Sequence, residues 1–179
     1  MKIVDFIGAG AVLLGLTIFS FTAAQADPLG PPDSDALVAG YQIIQFDLQE
    51  CRAIQGGVSM NGSGVVPADI SAVANKICTD ALTYKPILEK AAKLKGFELP
   101  TGLPYTLTAR YAGLIRNQGP GLGVRYLNDQ ISSHEDALAV FQDEAANGKD
   151  PDIKAAAAHV IPTVQSNLAL LQSTLAKHS

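Results

Sequence analysis

One histidine stands where a histidine could do chemistry. His134 falls within the stripe Leu127, Ile131, His134, Leu138, Phe141 and Ala145, whose spacings alternate between four and three. That spacing puts all of them on one helical face. An imidazole held inside a bundle can ligate a transition metal or transfer a proton near neutral pH. Asp80, near the stripe of another helix, is the carboxylate best placed to join it. One histidine and one aspartate are too few for a tight metal site. A di-metal bundle centre would also need inward Glu-x-x-His pairs. Glu50, Glu89, Glu98, Glu135 and Glu144 all lack a histidine three positions later. The favoured reading is a buried histidine hydrogen-bonded to Asp80, Tyr84, Tyr111 or Asn167, because a buried polar group needs a partner. No catalytic residue and no cofactor is expected, and a transition metal enters only through a degenerate His134–Asp80 pair.

The remaining chemical signals are weaker. His159 lies beside the inner stripe of its helix and His178 in the tail, so both are expected at the surface. Glu135-Asp136 and Asp143-Glu144 fall on the outer face of their helix and are expected to be solvated. Gly119, Gly121 and Gly123 resemble a fragment of a nucleotide loop but have no preceding strand and no Walker lysine, so a turn is the better account. There is no Gly-x-Ser-x-Gly elbow and no Cys-x-x-Cys motif. The chain carries 13 basic and 17 acidic residues, a net charge of −4, with no basic cluster, which argues against a nucleic-acid surface.

Cys51 and Cys78 are the two cysteines. Their meaning depends on compartment. Lys2, the apolar run from Phe6 to Ala24, and Ala24-Gln25-Ala26 before Asp27-Pro28 describe a secretory signal peptide over residues 1–26, cleaved after Ala26. An uncleaved anchor is the alternative, but Gly8, Gly10, Gly15, Ser20 and Thr22 dilute the run. The address is then periplasmic or secreted, with no transmembrane span after cleavage and with the envelope as the place of any association. In that setting the cysteine pair reads as a disulfide. A bridge closing that loop would contribute about 3–4 kcal/mol in the chain-entropy description. It requires Cys51, near the end of one helix, to share a level with Cys78, well inside the next.

The elements that must position these residues are helical. Residues 27–34 form a Pro/Gly-rich leader, and 35–177 a single domain. Leu37, Tyr41, Ile44, Leu48 and Cys51 mark a first helix ending near Ile54, with Asp33 or Ser34 as its N-cap. The glycine-rich stretch 55–66 interrupts it. A second helix starts near Pro67 or Ala68, runs through Val73, Ile77, Ala81, Tyr84, Leu88 and Ala91, and stops at Gly96. A short helix spans about 105–117, and a fourth about 122–146, ended by Asn147-Gly148. Asp150 caps a fifth helix and Pro151 opens it, with Pro162 inside as an expected kink. No segment alternates with the period of a strand. The fold class is all-α, an up-and-down four-helix bundle with one additional short helix.

Several stretches together carry a family likeness: Leu99-Pro100, Tyr126, His134, Phe141, Asp150, Ile161-Pro162, Leu168, and KICTDALTYKPILEKAAKLKGFELP in the second helix. Over roughly Ala36 to Leu175 the chain resembles the bacterial secreted family called domain of unknown function 4142. The resemblance implies a ferritin-like bundle and an outer-membrane or envelope setting. It also implies three histidines, of which this chain keeps His134. Ala81 and Asn167 stand where the other two are expected. The implied function is a non-enzymatic envelope or stress-related role, with a metal-binding or redox protein as the alternative.

Overall fold

The computed structural model describes residues 29–55, 66–116 and 119–179. The expected signal peptide and its cleavage after Ala26 lie outside these residues, as does most of the glycine-rich stretch. Five helices are present: α1 (Asp33–Gln55), α2 (Ala68–Leu94), α3 (Tyr105–Arg116), α4 (Leu122–Asn147) and α5 (Pro151–Leu175). The architecture is the all-α bundle of four long helices and one short helix. Among the described residues there is no strand.

Local signals explain the boundaries. At the start of α5 the Asp150 side chain accepts from the amides of Asp152 and Ile153, at 3.0 and 3.2 Å, and Pro151 occupies the first turn. Gly96, at φ 64°, ends α2. The Phe97 amide donates to the Ala92 carbonyl and the Gly96 amide to that of Lys93, a Schellman closure. Pro86 and Pro162 both lie inside helices that continue past them, although each removes one backbone hydrogen bond. Asp33, expected as an N-cap, instead belongs to α1, and its carboxylate accepts from the amides of Lys149 and Asp150 in the α4–α5 turn.

Hydrogen bonds between helices fix their directions. Tyr41 donates to Glu89 and Gln55 to Asn75, so α1 and α2 are antiparallel. Gln130 meets Glu50 near one end, and Asp33 meets Asp150 at the other, so α1 and α4 are antiparallel. The pairs Asp80–Asn167 and Asp69–His178 make α2 and α5 antiparallel. Neighbouring long helices therefore all oppose one another, yet chain order runs up, down, down, up. The segment between α2 and α4, which carries α3, must return along the bundle. It does so over α1, where Gln45 donates to the Pro100 carbonyl. Leu114 of α3 is fully buried.

This path buries α1 on nearly all sides. Phe46, off the expected stripe, is fully enclosed along with Cys51. Cys51 and Cys78 form a disulfide with Cα atoms 5.8 Å apart, within bridging range. They share a level because α1 ends beside Asn75. Ala68–Ala74 of α2 thus extends about 10 Å past it, at 1.5 Å per residue. Ile70 in that overhang packs on Gly123 of α4, where a Cβ would sit 2.7 Å from Ile70 Cδ1.

Candidate functional site

The two hairpins, α1–α2 and α4–α5, pack closely along α1 and α4. Contact across α2 and α5 is sparser, and polar groups bridge it. Asn167 donates to Asp80 Oδ2 at 2.8 Å, Lys76 bonds both Asp80 and Asn167 at 2.7 and 2.8 Å, and Tyr84 and Thr163 share a 3.0 Å bond. Behind these bridges lies a cavity of about 100 Å³. Its walls are largely apolar, from Ile44, Ala81, Leu88, Ala137, Phe141 and Val164, while Asp47, Asp80, His134 and Asn167 supply polar wall. Its lip carries His159, which is exposed.

The buried face of α4 explains the polar wall. Gln130, Ala137 and Glu144 are buried, whereas Ile131, Leu138 and Ala145 of the expected stripe are only half-buried. The buried arc is rotated by about one residue because α1 as well as α5 covers α4. His134, 4 % exposed, remains inside it. Its Nδ1 is 2.9 Å from the Gln130 carbonyl one turn earlier. A carbonyl can only accept, so Nδ1 carries the proton and Nε2 is left as an acceptor. Burial dominates the imidazole and pulls its pKa down to about 4, against the smaller pull of the Gln130 carbonyl and Asp80, so the ring is neutral.

Two acids missed by the sequence reading adjoin it. Asp47 is 6 % exposed and Glu50 fully buried. Gln130 Nε2 donates to Glu50 Oε2 at 3.0 Å, and the same amide also favours the Asp47 carboxylate. Desolvation overrides that help, pushing Asp47 up to about 8 and Glu50 up to about 9, aided by repulsion from Asp80 on the first and from Asp129 and Asp47 on the second. Arg110 of α3 pulls Glu50 back only weakly. Tyr126, fully enclosed beside both acids, is raised mainly by burial. Asp47 Oδ1, Glu50 Oε1, Gln130 Oε1 and the Tyr126 hydroxyl have no hydrogen-bond partner. Protonated by desolvation, the two acids also bring two O–H donors to this set.

A signal for Asp47 existed in the sequence. Gly40, Ile44, Asp47 and Cys51 repeat at four, three and four, so Asp47 occupies the inner stripe itself. Glu50 had no such signal, since it is buried by the return segment. Glu144, expected to be solvated, is fully enclosed at the far end of the bundle beside Asp33, and desolvation followed by Asp33 raises its carboxyl to about 7. Nearby, the buried Lys95 pairs with Asp150 and Asp152, both at 2.8 Å. Burial lowers the pKa of its ammonium, but the two aspartates outweigh that and raise it.

The structure brings His134, Asp80 and Asn167 to one cavity. Within it Asp80 is held by Lys76 and Asn167. Among the described residues, no group of three or more His, Cys, Asp or Glu side chains is placed to hold a metal ion. Tyr84 bonds Thr163, and Tyr111 lies half-buried on α3. His178, expected free at the surface, bonds Asp69 at 2.9 Å and is only partly exposed.

Comparison with known proteins defines the class. The model of the family described as Domain of unknown function (DUF4142) matches residues 67–174, more than half of the chain, and the chain belongs to that family. The match spans α2 to α5, while α1, with Asp47 and Glu50, lies outside it. The chain is similar in fold to the crystal structure of a DUF305 fragment from Deinococcus radiodurans, with a TM-score of 0.69, 14 % identity, and coverage of 84 % of this chain and 99 % of that one. No curated protein matches the chain.

Proposed function

We propose that this protein is a non-enzymatic bundle working outside the cytoplasm, and that it takes a small, mainly apolar molecule into the cavity between its hairpins. The observation that carries this reading is the cavity itself, about 100 Å³ with mostly hydrocarbon walls, set where the hairpins meet least closely. A cavity of roughly 150 Å³ lined by aliphatic and aromatic side chains is enough to bind benzene, so this one suits a slightly smaller molecule. The compartment is supported by the Cys51–Cys78 bridge, which persists in oxidising surroundings. The apolar N-terminal run ending in Ala24-Gln25-Ala26 supports a leader. Among the described residues no helix is long and apolar enough to cross a membrane. An envelope or stress-related role follows from that address.

A thermal-shift screen of small hydrocarbons, alcohols and amines tests the binding reading. At least one class should stabilise the protein, and Ala157→Leu, which fills the cavity wall, should abolish the shift. A screen without any stabiliser refutes it. A reporter fused to residues 1–26 tests the address. The metal-binding or redox alternative keeps one observation in its favour, that His134 and Asp80 line the same cavity. Metal analysis of untagged protein decides it: a full equivalent of metal lost in His134→Ala would establish that reading.

A further inference from the structure

We propose that the cavity selects a small alkylammonium cation, with its ammonium seated between Asp47 and His134. This deepens the binding reading and rests on it. Most polar groups of the wall are already engaged. Asp80 is held by Lys76 and Asn167. Tyr84 and Thr163 satisfy each other. His159 stands at the exposed lip. What remains inside is an acid and an imidazole. Asp47 is more than nine-tenths buried, lines the cavity, and has an Oδ1 without a partner. His134 lines the same cavity with Nδ1 engaged by the Gln130 carbonyl, so its Nε2 offers a lone pair.

Once Asp47 is ionised, its Oδ1 and His134 Nε2 are two acceptors in the wall of one cavity. A carboxylate or phosphate ligand would bring a second negative charge beside Asp47, and a carbonyl could take only the Asp47 proton, leaving His134 Nε2 without a donor. An ammonium brings up to three N–H donors and a positive charge, and among the described residues no lysine or arginine lines the cavity. The apolar walls formed by Ile44, Ala81 and Phe141 would hold the alkyl part. The volume limits that part to a few carbons. Seating the cation favours the carboxylate form of Asp47, so the neutral acid gives up its proton to solvent as the amine binds. The charge balance is one ammonium bound and one proton released.

Three probes of matched size separate the alternatives: n-butylamine, n-butanol and butyrate, titrated calorimetrically near neutral pH in buffers of different ionisation enthalpy. Butylamine should bind at least about tenfold more tightly than either of the others, a difference of ~1.4 kcal/mol, and should release close to one proton. Asp47→Asn should remove that preference and the proton release. Equal binding of butylamine and butanol, without proton release, overturns the ammonium assignment but leaves the cavity reading standing. Preferential binding of butyrate also overturns it. Failure of all three probes, with no effect of Ala157→Leu on any shift, overturns both. The wild-type comparison needs no variant, so it stands if Asp47→Asn fails to fold.

Discussion

Glu50→Gln should make this protein more stable, and more so as pH rises. Glu50 is fully buried and its folded-state pKa is about 9, against an ordinary value of 4.5. Below about pH 4.5 the group is protonated in both folded and unfolded chains and contributes nothing to pH dependence. Above that, the unfolded chain releases the proton and the folded chain keeps it. Stability therefore falls by about 1.4 kcal/mol per pH unit for this one group, until the folded pKa is passed. Asp47, raised to about 8, adds the same slope over its own window. His134 acts oppositely: its folded pKa is about 4 against 6.5, so its contribution is complete above 6.5 and is lost as pH falls towards 4. From Glu50, Asp47 and His134 alone the slope should be about −1.4 kcal/mol per unit between roughly pH 5 and 6.5 and about −3 between 6.5 and 8. Glu144, raised to about 7, roughly doubles the first of these. Glutamine keeps the acceptor for Gln130 Nε2 and carries no charge to desolvate. It should stabilise by about 3–5 kcal/mol near pH 8 and by almost nothing near pH 4.5. Urea unfolding across that range, with the m-value checked at each pH, measures both curves. A wild-type stability that stays flat or rises between pH 5 and 8, or a Glu50→Gln protein with an unchanged slope, would show that these acids do not hold their protons.

Other outcomes follow from the packing. Cys51→Ser with Cys78→Ser should lower stability by about 3–4 kcal/mol in the chain-entropy description, and reductant should do the same to the wild type but not to the double variant. Gly40→Leu should destabilise by about 1–3 kcal/mol, because a Cβ there already lies 2.9 Å from the Phe141 ring; thermal unfolding reads it. Asp150→Ala removes the α5 N-cap and one of the two partners of buried Lys95. It should cost about 2 kcal/mol or more, and Lys95→Met in the same background should recover part of that loss.

The sequence and the structure agree most closely at helix ends. Asp150-Pro151 and Gly96 acted through bonds to residues two to five positions away, so a local reading could find them. The cysteine pair was legible as a pair, but not its level, which depends on α2 reaching past the end of α1. Asp47 was legible in principle, since it occupies a slot in the stripe of its own helix. Glu50 and Glu144 were not. Both were covered by segments distant in sequence, Glu50 by the return path carrying α3 and Glu144 by Asp33 and the α4–α5 turn.

By itself the sequence determined the five helices of the described residues, the caps at Asp150 and Gly96, the cysteine pair and one inward histidine. Periodicity records which face of a helix seeks cover, and caps record where the backbone stops bonding to itself. The tertiary structure alone decided how much cover each helix receives. It placed α1 against neighbours on nearly every side, turned α4 by about one residue, and so buried two carboxyl groups beside the histidine. The charge of a carboxyl depends on whether water can reach it. That is a property of the assembled bundle, so the protonated acids, and the cavity that Asp47 lines, arose only there.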